Sequence, residues 1–212
     1  MNQIIATVEI EIDKIKGSRF IGSLFPIQES ANIAETIPSA IQIAHNEVRE
    51  RYPNASHYCW AYRGMDASTV RYSDDGEPTG SAGRPILTIL EGSRLCKVLC
   101  IVTRYFGGTK LGKGGLARAY TDAARQVLHK AKESELIQPI IPKRQLWLRI
   151  PYRFDAKVKH SIAMLGVELL SVQYEATILL HIQVVETATN EVISVLTEQT
   201  HGMAQFESTS DK

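Results

Sequence analysis

Apolar and polar residues alternate at Val8, Ile10 and Ile12, break at Lys16-Gly17 and resume at Phe20-Ile21, a period of two that predicts a hairpin. In "IPSAIQIAHNEVRERYP" the period lengthens. Ile37, Ile41, Ala44 and Val48 recur at helical spacing, with Pro38 near the start and Pro53 beyond the end. "ASHYCWAYR" and "STVRYS" predict a second strand pair, turned at Gly64-Met65-Asp66. The next stretch, "DDGEPTGSAGRP", is too rich in Gly, Pro and acids for a regular element. Ser81 or Thr79 is placed to cap a short helix through "SAGRPILTILE".

"KVLCIVTRYF" is a β-branched, apolar run and predicts a buried strand. In "GLARAYTDAARQVLHKA", Leu116, Ala119, Tyr120, Ala123, Val127, Leu128 and Ala131 form one apolar helix face. Arg118, Asp122 and Arg125 fall on the opposite face, close enough in helical spacing to pair. Two prolines in "ELIQPIIPKR" then mark an extended linker. Beyond it, "QLWLRIPY", "DAKVKHSIAMLG", "VELLSVQYE", "ATILLHIQVV", "ATNEVISVLTEQT" and "MAQFES" read β-α-β-β-α-β, the ferredoxin-like order. The expected class is therefore α+β, with an N-terminal domain over 1–136, a linker over 137–142 and a small C-terminal domain over 143–212.

Composition narrows the class. Hydrophobic residues make up 44% and charged residues 22% of the 212, the balance of a chain that buries a core. No run approaches the roughly 18 apolar residues of a membrane span, and the N-terminus does not read as a signal peptide. The expected compartment is the cytoplasm. Three cysteines, Cys59, Cys96 and Cys100, are odd in number and lack C-x-x-C spacing, which argues against a disulfide framework or a zinc site. Neither a metal nor a cofactor is expected.

Charge changes the picture more. The formal net charge is only +1, but Arg94 to Lys132 holds nine bases and one acid, 9 − 1 = +8. A neutral chain this basic in one place suggests an anionic partner there. Within the window, "GGTKLGKGG" spells G-x-x-x-x-G-K from Gly107, the phosphate loop up to its last position. That position needs a magnesium-ligating hydroxyl, and here it is Gly114. A glycine loop between a buried strand and a helix N-terminus still suits an anion, through backbone amides and the helix dipole. Arg104, Lys110, Lys113 and Arg118 are the candidate phosphate contacts, with Tyr105 or Phe106 to stack on a base.

Two further stretches offer chemistry. Asp74, Asp75 and Glu77 are spaced unlike a calcium loop, but Asp75 or Glu77 could transfer protons, as could His57. Strand alternation puts His57, Cys59 and Ala61 on one face and Tyr58, Trp60 and Tyr62 on the other. The first face invites a cysteine–histidine reading, weakened by a same-face spacing of roughly 6–7 Å. The second offers a stacking surface if exposed and core if buried.

Taken together, "ASHYCWAYR", "SDDGEPTGSAGRPIL" and "VLCIVTRYFGGTKLGKGGLARAY" resemble the signature of the IMPACT family, in particular its bacterial, two-domain YigZ branch. The resemblance spans most of residues 15 to 130, and residues 143 to 207 fit the small C-terminal domain of bacterial members. It implies that the glycine loop is the family's own motif and not a phosphate loop that has lost its serine. It also implies an N-terminal α/β sandwich similar to the second domain of a small-subunit ribosomal protein. The C-terminal domain would resemble the ferredoxin-like last domain of elongation factor G. Eukaryotic relatives act in translational control but lack this C-terminal domain. The resulting expectation is a non-enzymatic regulatory protein that binds RNA, the ribosome or a translation factor. The alternative is an enzyme acting on a small phosphorylated or carboxylated substrate, with His57, Asp75 or Glu77 moving the proton.

Overall fold

The computed structural model describes residues 1–28, 33–66 and 68–208. Contacts divide the chain into two units, Met1–Ile140 and Ile141–Lys212. The first contains β1 (Asn2–Ile4), β2 (Val8–Glu11), β3 (Arg19–Pro26), α1 (Ile33–Arg51), β4 (His57–Arg63), β5 (Val70–Ser73), α2 (Gly83–Gly92), β6 (Val98–Tyr105), α3 (Gly112–Glu133) and β7 (Ile137–Pro139). Five strands make one sheet in the order β2-β3-β6-β4-β5, every neighbouring pair antiparallel.

The central strand, β6, explains the layering. It is buried on both faces, so its sequence is continuously apolar from Val98 to Val102 where a half-exposed strand would alternate. Alternation survives in what each side chain meets. Val98, Cys100 and Val102 join the core beneath α2 and α3. Leu99 and Ile101 join the core beneath α1, with Ile37, Ile41 and Val48. Helices thus cover both faces, α1 on one and α2 with α3 on the other. The apolar face predicted for α3 is buried throughout, joined by Ala124.

Three local readings are corrected. Helix α1 starts at Ile33, so Pro38 lies inside it and not near its first residue. The stretch read as linker begins with β7, which pairs antiparallel with β1; backbone hydrogen bonding to the chain start, invisible to local pattern, orders it. On α3, Asp122 accepts from Gln126 at 3.1 Å, and among the described residues it pairs with neither Arg118 nor Arg125.

The second unit runs β8 (Lys143–Ile150), α4 (Asp155–Met164), β9 (Glu168–Tyr174), β10 (Ile178–Val185), α5 (Thr189–Gln199) and β11 (Gln205–Ser208). Its antiparallel sheet has the order β11-β8-β10-β9. Leu146, Leu148, Ile178, Leu180 and Ile182 pack with Val158 and Ile162 of α4 and Val192 and Leu196 of α5. The opposite sheet face carries Trp147 and His181, cross-strand partners whose rings stack with centroids 4.1 Å apart.

Candidate functional site

Strand parity builds the floor of the site. Continuing the even-numbered face of β6 past Val102 brings Arg104 under the first turns of α3. The register sets Phe20 of β3 and His57 of β4 directly beside it. Arg104 is only 4% exposed. A guanidinium buried this deeply needs a countercharge and hydrogen-bond acceptors. Its Nη1 donates to Glu77 Oε1 at 2.5 Å and its Nη2 to Ser18 Oγ at 3.3 Å. The rings of Phe20 and Phe106 lie 5.5 and 5.4 Å from its Cζ.

Glu77 reaches this place because the acidic loop folds back over the sheet. Asp75 and Gly76 adopt positive φ (41° and 84°), and Glu77 N–H donates to Asp74 O at 2.9 Å. Asp74 orders the turn into α2. Its carboxylate accepts from the N–H groups of Gly80, Ala82 and Gly83 at 2.8–2.9 Å. The cap of α2 is therefore Asp74, reaching from well before the helix, and neither Ser81 nor Thr79 as the sequence suggests. The Ser81 hydroxyl is buried with no partner among the described residues. Burial pushes the Asp74 carboxyl up, but the three N–H donors and the Lys113 charge outweigh it and hold it below the ordinary carboxylate value.

Around Glu77 the remaining groups form a chain. Tyr120 Oη donates to Glu77 Oε1 at 2.8 Å and lies 3.3 Å from Cys59 Sγ, whose single S–H also has the Asp74 carbonyl oxygen at 3.0 Å as an acceptor. His57 Nδ1 lies 2.8 Å from Asp75 O, and a carbonyl only accepts, so Nδ1 carries the hydrogen. That leaves Nε2 facing Glu77 Oε1 at 3.9 Å. The carboxylate of Asp75 turns the other way and accepts from Tyr58 N–H at 2.6 Å. Of the three proton-transfer candidates, the fold thus brings together His57 and Glu77, while Asp75 holds the loop in place. Cys59 is fully buried, and burial pushes its thiol well above the ordinary range, only partly offset by Tyr120. That does not fit a nucleophile paired with His57. Tyr58 and Tyr62 are core beneath α1 and form no stacking surface.

The glycine loop closes the site from above. A Cβ on Gly107 would sit 1.9 Å from the Gly17 carbonyl carbon, so the loop lies backbone to backbone on the first hairpin turn. Gly108 and Gly112 have φ of 86° and 69°, which favours glycine. Gly114 differs. Its φ is not positive and an added Cβ would meet nothing within 4 Å, so neither packing nor strain requires glycine there. Helix α3 begins without a side-chain cap and without an acid in its first turn. Its first N–H groups therefore face outward with their share of the helix dipole.

Lys110 and Lys113 are exposed. They line a recess of about 300 Å³ together with Glu77, Arg104 and Phe106. The other candidates lie elsewhere. Tyr105 Oη donates to Pro53 O at 3.0 Å, and the Arg19 guanidinium lies 5.0 Å from its ring centroid. Arg118 lines a separate hollow of about 610 Å³ with Lys16 and Arg125. Tyr120, which sequence reading assigned to the core alone, is the partner it missed; its apolar helix position hides a hydroxyl aimed at Glu77. Among the described residues, no group of three His, Cys, Asp or Glu is placed to hold a metal, and no helix is long and apolar enough to cross a membrane.

Residues 16–128, which include every element of this site, match the Impact N-terminal domain. An IMPACT family member of Haemophilus influenzae is 34% identical over 193 residues, covering 90% of this chain and 88% of that protein. IMPACT family member YvyE of Bacillus subtilis is 31% identical, covering 93% and 85%. IMPACT family member YigZ of Escherichia coli is 27% identical, covering 92% and 91%. The crystal structure of a hypothetical protein superposes with a TM-score of 0.76 at 27% identity, covering 100% of this chain and 98% of the other. With the acidic loop, the buried Arg104 and the glycine loop all inside the matched segment, this chain belongs to the IMPACT family.

Proposed function

We propose that this is a cytoplasmic, translation-linked regulatory protein that binds RNA, on its own or within a ribosome, through the glycine loop and the start of α3. One observation carries the reading. Lys110 and Lys113 stand exposed at a helix N-terminus that has no cap and no acid, beside a Gly114 that packing does not require. Such a surface lets a phosphate approach the backbone closely and supplies mobile charge, which suits sequence-independent contacts. In this reading Arg104 contacts no phosphate and holds Glu77 instead, while Arg118 extends the basic track along α3. The two domains, 1–136 and 143–212, would correspond to the ribosomal-protein-like sandwich and the elongation-factor-like module that the family resemblance implies. A translation factor is the other partner this surface would fit.

A second reading rests on His57 facing Glu77, which itself lines the lysine recess: an enzyme for a small phosphorylated or carboxylated substrate. A salt titration of binding to mixed-sequence single-stranded RNA separates the two. Replacing Lys110 and Lys113 together with Ala should flatten the slope of log affinity against log salt by about 1.4, at about 0.7 per contact. An unchanged slope removes these lysines from the interface. No binding even at low salt turns attention to small phosphorylated ligands.

A further inference from the structure

The recess below Lys110 and Lys113 has a floor that phosphate binding alone does not explain. Glu77 Oε1 accepts from Arg104 and Tyr120, whereas Oε2 has no partner among the described residues. The Glu77 side chain is 4% exposed and lines the recess, and Oε2 is not among the sealed, unpartnered atoms. A carboxylate oxygen without a donor, on a buried side chain that lines a cavity, is free to accept one. Beside it stands Phe106, 49% exposed, its ring held by the Arg104 guanidinium. Pro78, Leu111 and Leu116 supply the rest of an apolar wall.

The charges restrict what fits. A cationic ligand would meet Lys110 and Lys113, and a ligand anionic throughout would meet the Glu77 carboxylate at the floor. What satisfies both ends is a neutral, planar group bearing N–H donors, tethered to a phosphate. We propose that the recess holds a single unpaired nucleobase, guanine by preference, stacked on Phe106 with an N–H on Glu77 Oε2 and its phosphate at Lys110, Lys113 and the start of α3. Guanine presents N1–H and N2–H side by side. Uracil has one donor, set between two carbonyl oxygens that a carboxylate repels. The volume of about 300 Å³ lies at the lower end for ligand pockets, a size that admits one nucleotide. This inference rests on the phosphate-binding reading above and adds a base to it.

The test measures affinity for a short oligouridine carrying one central G, A, C or U, and for guanosine monophosphate, with wild type, Phe106→Ala and Glu77→Gln. Wild type should prefer the G-containing strand over all-U on the order of fivefold. Phe106→Ala should weaken binding about tenfold on every strand. It should leave the salt slope unchanged, since no charge is lost. Glu77→Gln should abolish the G preference; if that variant fails to fold, the wild-type series and Phe106→Ala decide alone. Guanosine monophosphate binding as tightly as the strand makes a free nucleotide the ligand, and weaker binding makes it an RNA base. Equal affinity for all four strands, or wild-type behaviour of Phe106→Ala, overturns the base site even if the lysine salt effect stands. No binding of RNA or mononucleotide overturns both readings.

Discussion

Arg104 and Glu77 are 27 residues apart in sequence, yet Nη1 and Oε1 meet at 2.5 Å with both side chains 4% exposed. This pair joins the end of the central strand to the acidic loop and makes one site of two motifs. It also takes Arg104 out of the set of cations available to a partner.

Removing one member leaves the other charged and buried. Arg104→Met or Glu77→Ala should each cost about 3–5 kcal/mol in urea unfolding. The double variant Arg104→Met/Glu77→Leu should recover at least half of that loss. A double variant no more stable than the worse single one would show that the pair's neighbours, not the charges, dominate.

Asp74 should act as a helix cap with an acid-sensitive contribution. Its folded pKa is depressed, so its stabilisation is complete above the ordinary value of 3.8 and lost as pH falls below it. Asp74→Asn should be less stable than wild type by about 1 kcal/mol at neutral pH, with the gap closing below about pH 4. Ser81→Ala should be close to neutral, because that hydroxyl has no partner to lose. A gap that stays constant into acid would show that the carboxylate charge contributes nothing.

Two glycines of one loop should respond oppositely to alanine. Gly114→Ala should stabilise the fold by about 0.5–1 kcal/mol, having open space and helical backbone. It should also weaken phosphate binding, because the methyl group holds a ligand off the backbone. Gly107→Ala should destabilise by about 3 kcal/mol, because the two backbones must part. Thermal melts with a parallel RNA titration read both effects. Gly114→Ala binding as tightly as wild type would mean that no ligand approaches there.

All three cysteines are buried, and none forms a disulfide among the described residues. Burial pushes the Cys100 thiol up to about 12 and also raises that of Cys59 well above the ordinary thiol value. The native protein should therefore react negligibly with a thiol–disulfide reagent at about pH 8, and all three thiols should appear on denaturation. Rapid native labelling of Cys59 would restore the nucleophile reading.

Most of the elements were legible in local pattern. Period-two runs marked β2, β3 and β4, a continuous apolar run marked β6, helical spacing marked α3, and Gly-Pro-rich stretches marked the loops, because each signal lies within a few residues of itself. The sequence also shows that the glycine loop is basic. Which charges face a partner depends instead on how the elements pack. Arg104 and Lys110 are both basic residues of one motif, and local pattern treats them alike. Strand parity turns Arg104 inward to a carboxylate that the sheet and a folded-back loop deliver, while the loop leaves Lys110 in solvent. The same holds for Asp74, whose three N–H partners lie at and just before the start of a helix it precedes. Local periodicity reports how a residue faces its own element, whereas pairing between elements depends on register and loop path, which no short stretch encodes.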